Sequence, residues 1–265
     1  MLWAVTGYLA LGAVAGVLAG LLGVGGGFVI VPLLSSLLLW QGVSQEMVVH
    51  IALGTSLATI MFTSLSSLRA HHAHGMVDWQ VVRRISAGIV VGTLAGSWLA
   101  GQLSTFGLKV FFVLFAYTMA LRMWLDAKPR PSRNLPAWQG LSAVGMVIGA
   151  LSSLVGIGGG SLSVPFLIWC NVSMHRAVGT SAAIGFPIAA AGTVGYMWAG
   201  WHELGLPSGS VGYVFLPALL GISVASMTFA PLGAQLARRW PAARLKKIFA
   251  SLMVLLGSKM LLTLL

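Results

Sequence analysis

Charge is what this sequence has least of. Only 7% of its 265 residues are charged, and only four are acidic: Glu46, Asp78, Asp126 and Glu203. An ordinary soluble domain carries about 25% charge, so water cannot be the solvent for most of this surface. With 58% hydrophobic residues and a mean hydropathy of +0.94, that solvent is lipid. The single cysteine, Cys170, excludes an internal disulfide. Beside Trp169 it reads as an apolar packing residue. Nucleophile, base and orienting group do not occur together, which disfavours an intramembrane enzyme. Residues 1–20 lack the positive stretch of a signal peptide and are expected to stay in the mature protein.

Basic residues are the exception, giving a net charge of +11. They cluster in short segments between long apolar runs, where the positive-inside rule places them, so no nucleic-acid partner is expected.

What is abundant is repetition. Residues 16–34 read GVLAGLLGVGGGFVIVPLL and residues 149–167 read GALSSLVGIGGGSLSVPFL. Further on, HIALGTS (50–56) matches HRAVGTS (175–181). Gly101-Gln102-Leu103 then faces Ala234-Gln235-Leu236, and Lys109 with Phe112 faces Lys246 with Phe249. Matches in the same order mark a duplication. The expected organisation is a first transmembrane repeat (1–126), a cytoplasmic Pro/Arg linker (127–137) and a second transmembrane repeat (138–265).

Apolar stretches fall at about 2–40, 47–68, 79–101, 107–125, 138–170, 177–199, 210–236 and 245–265. A span needs ~20 residues, so 2–40 and 138–170 are too long for one crossing and are interrupted at their glycines. Arg69, Arg83 and Arg84, then Arg122, Lys128, Arg130 and Arg133, then Arg238, Arg239, Arg244, Lys246 and Lys247 mark cytoplasmic segments. Residues 41–46 and 200–209 hold Glu46 and Glu203 without Lys or Arg and are placed outside. Each half is then a broken, re-entrant helical hairpin plus three transmembrane helices. That odd parity inverts one half relative to the other. The expected fold is thus an all-α polytopic membrane protein of two inverted-topology repeats, as in secondary transporters, with the site near the midplane at the broken helices.

The candidate site follows from those breaks. Gly23, Gly25, Gly26 and Gly27, and their counterparts Gly156, Gly158, Gly159 and Gly160, allow tight turns and close approach of a ligand. A helix starting after such a turn aims free N–H groups and its positive dipole end at an anion. Close helix packing through small residues is the competing explanation; two runs at equivalent places favour a site. Thr55, Ser56, Thr180 and Ser181, in the paired G-T-S segments, and Ser161 offer hydroxyls to an oxyanion. Pro32 and Pro165 read as kinks.

His50 and His175 are proton-coupling candidates, each wet in only one state of an alternating cycle. His71, His72 and His74 with Asp78 read as a solvated cytoplasmic loop rather than a metal site. No mid-span carboxylate is present to hold a metal cation, so a small anion held by backbone dipoles and hydroxyls suits the pathway better. No cofactor is expected: a dinucleotide loop would need a soluble strand–turn–helix unit around the glycines.

The duplicated glycine hairpins, the paired G-T-S segments and the length resemble the sulfite exporter TauE/SafE family of bacterial membrane proteins, over nearly the whole chain. The resemblance implies a multi-pass permease or exporter in the bacterial inner membrane, for a small sulfur-containing or organic anion such as sulfite or a sulfonate. A passive anion channel and a metal-ion transporter are the alternatives. The halves differ where Phe28 faces Ser161 and Ile30 faces Ser163, so the second turn is the more polar.

Overall fold

The computed structural model describes residues 2–22, 26–125, 132–239 and 242–264. Ten helices follow one another: α1 (Leu2–Leu22), α2 (Gly27–Trp40), α3 (Val48–Ala73), α4 (Trp79–Gln102), α5 (Thr105–Trp124), α6 (Trp138–Val155), α7 (Gly160–Trp169), α8 (Met174–Ala199), α9 (Leu216–Arg239) and α10 (Ala242–Leu262). Seven of them, α1, α3, α4, α5, α6, α8 and α9, are long and apolar enough to cross a membrane. The arms α2 and α7 have 14 and 10 residues. At ~1.5 Å per residue they reach ~21 and ~15 Å, short of a ~30 Å hydrocarbon core.

Local chemistry sets the boundaries. Asp78 caps α4, its carboxylate accepting from the Gln80 and Val81 N–H groups at 3.1 and 3.2 Å. Ser104 caps α5 by accepting from Gly107 N–H. Gly156 ends α6 at φ +73°, a left-handed conformation that side-chain-bearing residues rarely adopt.

Two boundaries differ from the sequence expectation. The helix expected to end near residue 68 continues through Ala73. Arg69, His71 and His72 therefore lie on its last turns rather than in a loop, and His72 Nδ1 accepts from the Trp79 indole N–H at 3.2 Å. The span expected to begin at 210 begins at Leu216. Residues 210–215 instead form a small antiparallel hairpin, β1 (Ser210–Val211) and β2 (Val214–Phe215). Apolar residues identify burial without distinguishing a helix from a tucked-in turn.

The halves interlock. α3 and α8 are the most enclosed spans and pack against each other in opposite directions: Gly54 lies against Tyr196, Leu57 against Gly192, and Ser64 against Gly185. The first helix of each half runs alongside the fourth of the other. Residues 88, 92 and 96 of α4 meet 142, 146 and 150 of α6, and residues 12 and 16 of α1 meet 222 and 226 of α9. Glycines at these steps let the backbones touch, the usual means of helix association in lipid. α5 and α10 join through Tyr117 and Ser258, whose hydroxyls are 2.8 Å apart.

The outside of this bundle is apolar. Leu114, Leu121, Val147, Leu220, Val224 and Leu255 are all exposed. In water this would be an aggregation-prone surface; in a bilayer it is the lipid contact. Exposed Trp40, Trp198 and Trp201 lie near the acidic segments, and Trp79, Trp124 and Trp138 lie near basic ones. That matches the aromatic belts of a membrane protein.

Candidate functional site

The two glycine turns meet at the centre, between α3 and α8. A Cβ placed on Gly27 would overlap the Gly156 carbonyl oxygen, and Ser56 Oγ donates to that same oxygen at 2.8 Å. Close backbone approach therefore explains Gly27. Gly23 and Gly25 lie outside the described residues.

The first turn is packed with hydrocarbon. α2 starts with Val29 and Ile30 N–H both bonded to Gly26 O at 3.0 Å. The Phe28 ring sits among Phe112, Phe115 and Phe249, with centroids 5.7, 5.7 and 6.1 Å away. Ile30 beside it is fully buried.

The second turn is built from polar groups. Gly156 and Ile157 N–H both bond to Ser152 O, at 2.9 and 3.0 Å. Gly159, at φ +75°, precedes α7, and its carbonyl accepts from Leu162 N–H, Ser163 N–H and Ser163 Oγ. The Ser163 and Ser181 hydroxyls are 2.7 Å apart. Ser152 Oγ and Ser161 Oγ are buried and have no hydrogen-bond partner. A Cβ on Gly159 would lie 3.4 Å from Ser152 Oγ, which places that hydroxyl at the mouth of α7. The N–H groups of Gly160 and Ser161, in the first turn of α7, have no intrahelical acceptor. An unsatisfied buried hydroxyl costs ~1–3 kcal/mol, so two of them beside a helix N-terminus call for a partner. Gly158 packs nearby, 3.1 Å from Ile60 through its would-be Cβ.

The two threonines are held by matching contacts. Thr55 Oγ1 accepts from Phe215 N–H at 3.0 Å, and Thr180 Oγ1 accepts from Asp78 N–H at 3.0 Å. Both donors sit at the entry of the other half's fourth helix. A hydroxyl that accepts retains its proton to donate, but these two primarily tie the halves together.

The histidines occupy unlike surroundings. His50 is buried on α3, with Nε2 3.0 Å from Ala100 O and 3.1 Å from Leu103 O. His175 is exposed at the start of α8, next to Arg176, which pairs with Asp78 at 3.7 Å. Cys170 is a buried free thiol. Among the described residues no group of three or more His, Cys, Asp or Glu could hold a metal ion.

Ser152, Tyr196 and the 210–215 hairpin were not singled out in the sequence. Tyr196 is fully buried and donates to Ser153 O at 2.9 Å, joining α8 to α6. One signal was available: Ser152 and Ser153 stand where the first half has Ala19 and Gly20.

Comparison with known proteins agrees with this architecture. Residues 8–260 match the family described as sulfite exporter TauE/SafE. A probable membrane transporter protein of Haemophilus influenzae is 37% identical over 257 residues, covering 96% of this chain and 97% of the relative. A probable membrane transporter protein of Bacillus subtilis is 29% identical over 95% of each chain. One from Methanocaldococcus jannaschii is 26% identical, over 95% of this chain and 93% of the relative. No solved structure matches. With the match running nearly end to end, this multi-pass membrane protein belongs to the sulfite exporter TauE/SafE family of transporters.

Proposed function

We propose that this chain is a secondary transporter of a small anion, sulfite or a sulfonate being the class its family name suggests. The substrate binds at the N-terminus of α7, between the Ser152 and Ser161 hydroxyls. The observation that carries this reading is the pair of buried, unpartnered hydroxyls beside free helix N–H groups. Such donors suit an oxyanion, and no acidic side chain lies in the middle of a span to repel it. The first turn, filled by Phe28, packs rather than binds. The halves act as inverted repeats, a reading supported by the opposed directions of α3 and α8 and by the reciprocal α1–α9 and α4–α6 pairs. Basic segments then face the cytoplasm and Glu46 and Glu203 face outward, with the protein in the bacterial inner membrane.

The test is anion-induced stabilisation of purified protein, followed by uptake into proteoliposomes, with sulfite, small sulfonates and chloride as ligands. The double change Ser152→Ala and Ser161→Ala should weaken binding by about 10–100-fold, as expected for lost hydrogen bonds to a charge. Stability without ligand should hold or rise, because two unsatisfied hydroxyls are gone. Unchanged anion binding in this variant would show that the turn serves packing alone.

A further inference from the structure

The ends of α3, α4 and α5 and the 200–215 segment line a second, open polar cavity, separate from the glycine turns. It is a cavity of about 540 Å³, bordered by Glu46, His50, Lys109, Glu203, Tyr213 and Thr105 among others. This is the size of a small-molecule site. Two of the chain's four acidic residues line it.

His50 determines its chemistry. Its Nε2 faces the Ala100 and Leu103 carbonyl oxygens, at 3.0 and 3.1 Å. A carbonyl only accepts, so Nε2 carries the hydrogen and Nδ1 the lone pair. Nδ1 is buried and has no partner, in a residue only 5% exposed. The ring stacks on Tyr213, with centroids 5.0 Å apart and planes at 29°. His50 thus borders a cavity whose rim carries two carboxylates, and its buried Nδ1 has no hydrogen-bond partner.

We propose that this cavity is the transporter's coupling-ion site and that His50 Nδ1 takes up a proton there, with Glu46 and Glu203 as the counter-charges. The coupling role deepens the anion-transport reading and rests on it; proton binding itself does not.

Every packed element contributes to the balance. The 41–47 segment supplies Glu46, and Thr105 Oγ1 holds that residue by donating to its carbonyl oxygen. The 200–215 segment supplies Glu203 and Tyr213. Burial, then the Glu203 carboxylate, pushes the Tyr213 phenol up to about 12, so it stays neutral beside the imidazole. α5 supplies Lys109, whose charge opposes protonation; its Nζ points to Thr263 O at 3.0 Å, at the chain's end. α4 supplies the two carbonyl oxygens.

The proton site also connects to the anion site. Tyr213 N–H donates to Tyr196 O at 3.1 Å, and Tyr196 Oη donates to Ser153 O at 2.9 Å. Ser153 adjoins Ser152, one of the unpartnered hydroxyls at the second turn. A shift of the stacked Tyr213 ring on protonation therefore acts on a continuous set of contacts that ends at the anion site. His175, exposed on a different helix, has no comparable enclosure. The coupling is accordingly one-sided.

The test is nitrogen NMR of 15N-histidine-labelled protein in nanodiscs, without any transported anion. His71, His72, His74, His175 and His202 are each changed to Gln, so that His50 gives the only imidazole signal. The expected spectrum shows the Nε2–H tautomer at high pH and a proton gained at Nδ1 as the sample is acidified. Adding Glu46→Gln and Glu203→Gln should move the midpoint to lower pH, because removing negative charge disfavours the imidazolium. Both carboxylates are exposed, so a shift of about half a unit is expected, roughly threefold in proton affinity. A ring neutral throughout, an Nδ1–H tautomer, or a midpoint indifferent to both glutamates overturns the proposal. If the multiple variant does not insert, the wild-type spectrum is read instead, with the His50 signal identified by its response to Tyr213→Phe. Since no anion is present, this result stands independently of the Ser152 and Ser161 experiment.

Discussion

The first and second glycine turns descend from the same motif and have been put to different uses. At one, Phe28 fills the space after the turn with an aromatic cluster of Phe112, Phe115 and Phe249. At the other, Ser161 stands in the same place with a buried hydroxyl that has no partner. Among the described residues, the first is packed with rings and the second leaves the Ser152 and Ser161 hydroxyls unpaired. Duplication supplied the glycines twice, but Gly26 and Gly159 differ in backbone conformation, and the side chains at the matched positions make one surrounding aromatic and the other polar. On the proposed reading, a glycine motif alone does not locate a site; the residues flanking it do.

Five substitutions, in three sets, bear on that contrast. The largest effect is expected from Phe28→Ala, which empties the aromatic cluster and should cost about 3 kcal/mol by thermal or denaturant unfolding in detergent. Anion-induced stabilisation should survive in whatever fraction remains folded. Loss of anion binding from the folded fraction would show that the first turn binds as well as packs.

Next come the threonines. Thr55→Val and Thr180→Val each strip a backbone N–H of its acceptor, the buried one of Phe215 or the part-buried one of Asp78. Each should cost about 1–3 kcal/mol. The Thr55 change should be the larger, because Asp78 N–H is less deeply buried than Phe215 N–H and water can replace its acceptor. Equal losses would indicate that water does not reach Asp78.

The smallest contrast uses matched glycines. Gly159 has φ +75° and Gly26 has φ −71°. Gly159→Ala should therefore lose about 1–2 kcal/mol more stability than Gly26→Ala. The comparison is not free of contacts, since a Cβ on Gly26 would come 3.0 Å from Ala15 O and one on Gly159 would overlap the end of the Ile188 side chain, which adds to the Gly159 loss. Unfolding midpoints of the two variants measured side by side decide it.

Much of the fold could be read from residue order. The apolar stretches located the helices, and the length of 138–170 against a single span pointed to the break at Gly156. The polarity of the second turn was visible in Ser161 and Ser163. The rest depended on distant partners. Thr55 was legible as a hydroxyl at membrane depth, but its contact is a backbone N–H 160 residues away. Nothing local to G-T-S indicates that. Ser152 was hidden for another reason: small polar residues are common in membrane helices, and only the alignment of the halves sets it apart from Ala19. The hairpin at 210–215 reads as part of a span because Tyr213, Val214 and Phe215 are apolar, and in the structure they are as buried as helix residues.

The reciprocal threonine contacts have a consequence for how such a protein could have arisen. Thr55 completes the second half at Phe215, and Thr180 completes the first at Asp78. Neither half contains its own partner. A free-standing ancestor of half this length would have met the same requirement by pairing with another copy of itself, each giving one threonine and receiving one, as in an isologous dimer. On the proposed topology those copies would have had to enter the membrane in opposite orientations. Fusion of two such copies through the Pro/Arg segment would make that pairing obligatory. It would also free the two copies to diverge, so that one turn could become greasy while the other stayed polar.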